Sequence, residues 1–278
     1  MVHKSQQAID FYSSHPISLD LVLTRLLRER RDLTGLQPSD LWPHDQDHYG
    51  GLSANDALAQ CAMLRPGSRV ADFCAGLGGP ARYYAHVYGA EVTAIELTPA
   101  RAAGAKRLND LVGLADRVRV VQGDVVSTEL PDGEMGAVVS QEAFLHLPDK
   151  ASVLREARRI LRPGGRLAFT DLFRHAPLAA TDADLLWEGM AIQPVETLDG
   201  YRALLAAAGF TIVRLEDLTE DLRPVLRQRF AMYQVMRGEA EVAGTPTGSE
   251  AFHRSYARYA ELFEARQLGG LRATALKP

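Results

Sequence analysis

The spacing of apolar residues changes several times along the chain, and the changes mark its elements. Leu19, Val22, Leu23, Leu26 and Leu27 fall on one helical stripe that Ser18 caps. The fifteen residues before it carry no such stripe and read as a loose arm. Thr34 to Gly51, with Pro38 and Pro43, reads as a loop, and Ser53 opens a second helix reaching about Leu64. From Arg69 short apolar runs alternate with helical stretches. The runs are Val70–Phe73, Glu91–Glu96, Arg117–Val121, Ala137–Ser140 and Arg166–Thr170. Pro80 begins one intervening helix and Gly89 ends it; Thr98 and Pro99 begin the next, which Gly113 closes. Such alternation predicts parallel strands joined by right-handed crossovers, hence a doubly wound α/β sheet.

After Asp171 the pattern breaks. Residues 174–200 are rich in alanine, leucine and acids and read as a helical insertion over the site, with Trp187 a candidate face for an ammonium group. A helix from about Leu198 to Ala208 leads into an edge strand, Phe210–Leu215. Two helices follow, Pro224–Val242 and Ser249–Arg266, separated by a Gly244–Gly248 loop, and Leu271–Leu276 reads as a last strand. The expected organisation is a helical arm and lid over 1–60, then a core over 61–278 with a cap near 174–200 and helices near 220–267.

Composition narrows the class. The chain has 278 residues, 46% of them hydrophobic and 24% charged, as in ordinary globular proteins. A formal net charge of -4 gives no footprint for nucleic acid. The basic run Arg28-Glu29-Arg30-Arg31 ends an amphipathic helix and reads as a solvated face. Two cysteines make no disulfide framework, and the first residues do not resemble a secretion signal, so a cytoplasmic setting is expected. No apolar run approaches the ~20 residues that span a bilayer.

The chemistry begins at Asp72-Phe73-Cys74-Ala75-Gly76-Leu77-Gly78-Gly79-Pro80, a strand end, a glycine bend and a helix start. Glycines let backbone approach a ligand, and the helix start offers unpaired N–H groups. Glu96 ends the next strand, where an acid can grip a ribose diol. Gly76-x-Gly78-x-x-Ala81 also satisfies the dinucleotide fingerprint, so a nicotinamide oxidoreductase is one reading. Asp72 weighs against it, because a carboxylate there would face a pyrophosphate. Asp124 after Gln122-Gly123 adds a third acid on the rim, and Leu161-Arg162-Pro163-Gly164-Gly165 forms a tight turn into the fifth strand.

In this order the motifs resemble the class I S-adenosylmethionine-dependent methyltransferases over roughly residues 60–215. The resemblance implies a Rossmann-like, mostly parallel sheet of seven strands with an antiparallel C-terminal strand. It implies S-adenosylmethionine as cofactor. Asp72 with Gly76 and Gly78 would cradle its methionine part, Glu96 would hold its ribose and Asp124 would meet its adenine, with Cys74, Leu97 and Val125 also at the cofactor. A non-catalytic module binding the same cofactor is the remaining reading from another class.

Ser140-Gln141-Glu142-Ala143-Phe144-Leu145-His146-Leu147-Pro148-Asp149-Lys150 resembles the corresponding segment of sarcosine/dimethylglycine N-methyltransferases, which are related to the phosphoethanolamine enzymes. That implies Gln141 and Glu142 at the cofactor or amine, and His146 on a small-molecule acceptor, an amine nitrogen above all; oxygen, sulfur and carbon acceptors stay open. His44-Asp45-Gln46-Asp47-His48-Tyr49 has crowded potential ligands without metal-typical spacing, so no metal is expected. In the resembling families an aromatic-glycine segment here closes as a lid, which makes Tyr49 a gate residue and a candidate partner for His146. Arg174, Arg223, Arg227 and Arg229 are candidates for an acceptor carboxylate. Phe252, Tyr256, Tyr259 and Phe263 form a helical stripe for the core or for a second copy in a homodimer.

Overall fold

The computed structural model describes residues 2–30, 32–243 and 249–278, with side chains for 6–30, 32–238 and 249–278. The Gly244–Gly248 loop lies outside the described residues. Four helices come first: α1 Val2–Ser13, α2 Leu19–Arg30, the short α3 Pro38–Leu41 and α4 Gly51–Cys61. The alternating core follows as β1 Arg69–Phe73, α5 Gly79–Val87, β2 Glu91–Glu96, α6 Pro99–Leu111, β3 Val118–Gln122 and β4 Met135–Gln141. A 3-10 turn, Phe144–His146, leads to α7 Lys150–Ile160 and β5 Leu161–Arg174. The last part is α8 Ala180–Met190, α9 Leu198–Ala207, β6 Thr211–Asp217, α10 Thr219–Ala243, α11 Glu250–Glu264 and β7 Leu268–Leu276.

The strands form one seven-stranded sheet in the order β3-β2-β1-β4-β5-β7-β6. β1 to β5 are mutually parallel, and β7 inserts antiparallel between β5 and β6. The seven strands and the antiparallel C-terminal strand are as expected. The order reverses between β1 and β4, the switch point beside which open α/β sheets bind ligands. Registers Asp72↔Val139, Phe73↔Ile95 and Glu96↔Gln122 bring the strand ends to one edge.

Side chains alternate across each strand. Val70, Val92 and Val139 face a core shared with Val22 and Leu26 of α2, Leu58 of α4 and Leu108 of α6. Ala71, Ile95, Val138 and Phe169 face the other, with Val153 and Leu154 of α7 and Leu205 of α9. A third core joins Leu186 and Met190 of α8 to Leu226 of α10 and Phe252, Tyr256 and Tyr259 of α11. Gly189 lets α8 and α11 meet closely, since a Cβ there would overlap the Ala251 carbonyl and the Ser255 side chain. Among the described residues no helix is long and apolar enough to cross a membrane.

Two local expectations differ. The first residues are not a loose arm: α1 forms, because Ala8, Phe11 and Tyr12 share a face that settles over the third core. The stretch Leu161–Gly165 belongs to β5 and bulges out, so that Met135 pairs with Leu161 and Ala137 already with Arg166.

Candidate active site

A cavity of about 220 Å³ opens at the switch-point edge of the sheet. Of the residues expected to hold the cofactor or do the chemistry, all but Gly78 line it: Asp72, Cys74, Gly76, Glu96, Leu97, Asp124, Val125, Gln141, Glu142, His146 and Tyr49. Gly78 stands behind the bend as the residue capping α5, at φ 79°; a Cβ there would come within 3.0 Å of Arg82 Nη1.

One half of the cavity is the acidic strand edge. Asp72 is 3% exposed, and its Oδ2 has no hydrogen-bond partner. Burial, with Glu96 nearby, pushes its carboxyl up to about 8. Glu96 accepts the Gly76 N–H at 2.9 Å and the Thr98 N–H at 2.7 Å, so one carboxylate braces both the glycine bend and the start of α6. Asp124 accepts the Val126 N–H at 3.0 Å. Gln141 donates to Asn55 at 2.7 Å and Tyr84 at 2.8 Å, leaving its Oε1 unpaired. An unpartnered acid, a left-handed glycine bend and a second acid one strand away suit a ligand with a cationic centre and a diol. The donor set therefore fits S-adenosylmethionine.

The other half is aromatic. Phe11 and Tyr12 of α1, Tyr49, Tyr233 of α10, and Phe252, Tyr256 and Tyr259 of α11 line it, with Leu145, Leu172, Met190 and Ile192 between them. The stripe on α11 thus serves both core and cavity. Trp187 does not line the cavity; its turn of α8 places Met190 there instead.

His146 sits where the halves meet. Its Nδ1 lies 3.2 Å from the Ala191 carbonyl, which only accepts, so Nδ1 carries the proton. Its Nε2 then accepts from Tyr12 Oη at 2.8 Å. Burial lowers the imidazole to about 4, so it is neutral at physiological pH. The turn that holds it is fixed by Asp171, which accepts the Leu145 N–H at 2.8 Å, and by the Gln193 N–H, which donates to the Leu145 carbonyl at 2.8 Å. The expected Tyr49–His146 pair is not formed. Tyr49 points toward Tyr256 and Tyr259, its N–H donates to Glu142 at 2.8 Å, and the Arg229 guanidinium lies 5.7 Å from its ring centroid. Glu142 has φ 43°, which turns its carboxylate into the cavity, and burial pushes it up to about 7.

The loop before Tyr49 is tied by polar groups rather than apolar ones. Asp45 meets the buried Arg82 at 2.8 Å, His44 meets Glu29 at 3.0 Å, and His48 meets Gln46 at 2.9 Å. Asp47 accepts from Arg101 at 2.7 Å; burial opposes its charge, but His15, Arg101 and Arg229 hold it well below the usual carboxylate range. Arg229 donates to the carbonyls of Gln46 at 3.0 Å and His48 at 2.6 Å. Of the four arginines considered for an acceptor carboxylate, Arg229 lines the cavity, whereas Arg174 donates to Val195 and Arg223 and Arg227 pair with Glu264. Sequence reading missed Phe11, Tyr12, His15, Arg101 and Tyr233. The one signal for the first three was the aromatic and histidine spacing of residues 11, 12 and 15.

Comparison with known proteins decides the family. A family model described as Methyltransferase domain matches residues 71–169. The 27-O-demethylrifamycin SV methyltransferase of Amycolatopsis mediterranei is 31% identical over 80% of this chain and 82% of its own. The chain is a methyltransferase of the S-adenosylmethionine-dependent family. The sarcosine/dimethylglycine N-methyltransferase of Halorhodospira halochloris is 39% identical over 58% of this chain, and the match spans 57% of that relative's length. The Haemonchus contortus phosphoethanolamine N-methyltransferase 2, solved with phosphomonomethylethanolamine and S-adenosylhomocysteine, shares the fold at a TM-score of 0.74 and 19% identity, over 84% of this chain and 55% of that one. The nicotinamide reading is thereby set aside, and the enzyme's cofactor is S-adenosylmethionine.

Proposed function

We propose that the enzyme methylates the nitrogen of a small amine enclosed in the aromatic half of the cavity. The observation that carries this reading is the neutral His146–Tyr12 pair beneath a ring of aromatic faces. Aromatic faces attract alkylated ammonium groups, and burial holds the hydroxyls of Tyr49, Tyr256 and Tyr259 protonated by raising them well above their ordinary value.

The cofactor, when bound, supplies an activated methyl group. The chain's part is to hold the acceptor in line and accept its proton. Asp72, beside Cys74 and Gly76, takes the cationic methionine end; Glu96 and Leu97 take the ribose, and Asp124 and Val125 the adenine. Tyr12 Oη faces both acceptor and His146, so it passes a proton to Nε2 while taking one from the acceptor. Glu142 holds Tyr49 in place through its backbone N–H. Arg229 offers the cationic contact for an acceptor carboxylate. Two free cysteines suit a reducing cytoplasm.

A second reading, methylation of a hydroxyl on a bulkier natural product, is favoured by the apolar wall of Leu145, Leu172, Met190 and Ile192. The name of the Amycolatopsis relative points the same way. Incubation with labelled S-adenosylmethionine and a panel of amines, hydroxyl compounds and thiols separates the two. The amine reading requires label on nitrogen; label confined to oxygen overturns it.

A further inference from the structure

The end of the sheet opposite the active site is basic, although the chain's formal net charge is -4. A cleft of about 480 Å³ opens there between the starts of β1 and β4 and the bulged start of β5. Arg65, Arg69, Arg162 and Arg166 line it, with Glu134 as the one lining carboxylate. Arg69 meets Glu134 at 2.5 Å, and Arg166 donates to the Cys61 carbonyl at 3.3 Å. Arg65 and Arg162 have no side-chain partner among the described residues. The Arg162 guanidinium is laid beside Gly136, where a Cβ would stand 3.8 Å from its Nη2. The β5 bulge is what brings it there.

We infer that this cleft binds a small, multiply charged phosphate compound of the diphosphate class. The lining carries four guanidinium charges against one carboxylate. Guanidinium groups match phosphate oxygens two at a time. Arg65 and Arg162 are the unengaged donors, and Arg69 is shared between Glu134 and the ligand. Met63, 63% exposed at the mouth, gives an apolar edge for the body of an organic diphosphate. A small ligand is favoured over a polyanion because the four guanidinium groups share one cleft of about 480 Å³. Arg159 is engaged by Glu156 and Asp132, and Arg158 donates to the Gly209 carbonyl at 3.1 Å.

The test is calorimetric titration of the full chain with pyrophosphate, ADP and inorganic phosphate at low ionic strength. Pyrophosphate and ADP bind more tightly than phosphate, and added salt weakens them. Arg65→Ala with Arg162→Ala weakens pyrophosphate at least about tenfold, as loss of charge-assisted bonds requires. Binding of S-adenosylhomocysteine and methyl transfer stay unchanged in that variant. Glu134→Gln frees Arg69 and tightens pyrophosphate, a gain that a misfolded variant does not give. The inference is overturned by absence of pyrophosphate binding, by equal binding in the double variant, or by displacement of the anion with S-adenosylhomocysteine, which would place it in the methyl-transfer cavity.

Discussion

Tyr12 Oη and His146 Nε2 lie 2.8 Å apart although 134 positions separate them in the chain. The contact joins the first helix to the turn after β4 and closes the cavity from above. Because Ala191 fixes the proton on Nδ1, the Tyr12 hydroxyl donates to His146 and keeps its own oxygen available to an acceptor.

Tyr12→Phe removes this donor and leaves Nε2 without a partner. Turnover is expected to fall ~10- to 100-fold, part of the usual share of a positioned acid–base group. In the double variant with His146→Ala the effects should be far from additive, since the two act as one unit. Steady-state kinetics on the four proteins of the cycle give the result; fully additive losses would separate the two roles.

Asp72 gives a pH signature for cofactor binding. With its carboxyl pushed up to about 8 by burial and by Glu96, it is largely protonated at pH 7. A cationic ligand favours the carboxylate, so binding of S-adenosylmethionine releases a proton. Titrations at pH 7 in buffers of different ionisation enthalpy should show that release, and Asp72→Asn should abolish it. Proton uptake on binding would contradict the assignment.

Glu96→Ala removes the acceptor for a ribose diol and for two backbone N–H groups. Hydrogen bonds to a charged group contribute about 1.5–3 kcal/mol, so cofactor affinity should fall roughly 10- to 100-fold. The melting temperature should fall too, because Gly76 and Thr98 lose their brace. Calorimetric titration and thermal unfolding measure the two effects separately.

The mobile cover is expected to be α1 rather than the loop 44–49. The loop is held by Arg82, Arg101 and Arg229, whereas α1 rests mainly on aromatic contacts of Phe11 with His146 and with Phe252 of α11. Hydrogen exchange without cofactor should show the loop amides protected and the α1 amides open, and S-adenosylhomocysteine should slow exchange in α1. Arg229→Ala should release the loop selectively. Fast exchange of the loop in the unaltered protein would restore it as the moving part.

The core was legible because its signals are local. Asp72, the glycine bend, Glu96 and Asp124 follow strand ends that the apolar runs mark directly, and parallel crossovers then bring them to one edge. The acceptor half was not legible in the same way. Tyr12 comes from the first helix and Tyr233 and Tyr256 from the last two, and each reads as ordinary packing until the helices meet. His146 was visible, but its partner was misassigned to Tyr49, since no spacing rule reveals that Glu142, Tyr256 and Tyr259 draw Tyr49 away. Arg229 stood among four equivalent candidates until packing engaged the other three elsewhere. The α1 helix was missed because its few apolar residues form a face only against the cap.

The most direct test of the account compares His146→Ala with the unaltered enzyme on a secondary amine and on a tertiary amine of similar size. With both amines supplied as free bases, attack by the secondary amine leaves an N–H proton for His146 to accept through Tyr12, and attack by the tertiary amine leaves none. The account predicts a ~10²- to 10⁴-fold loss of turnover on the secondary amine and a much smaller loss on the tertiary one. Full turnover of the variant on both, or equal losses on both, would contradict a proton-accepting His146.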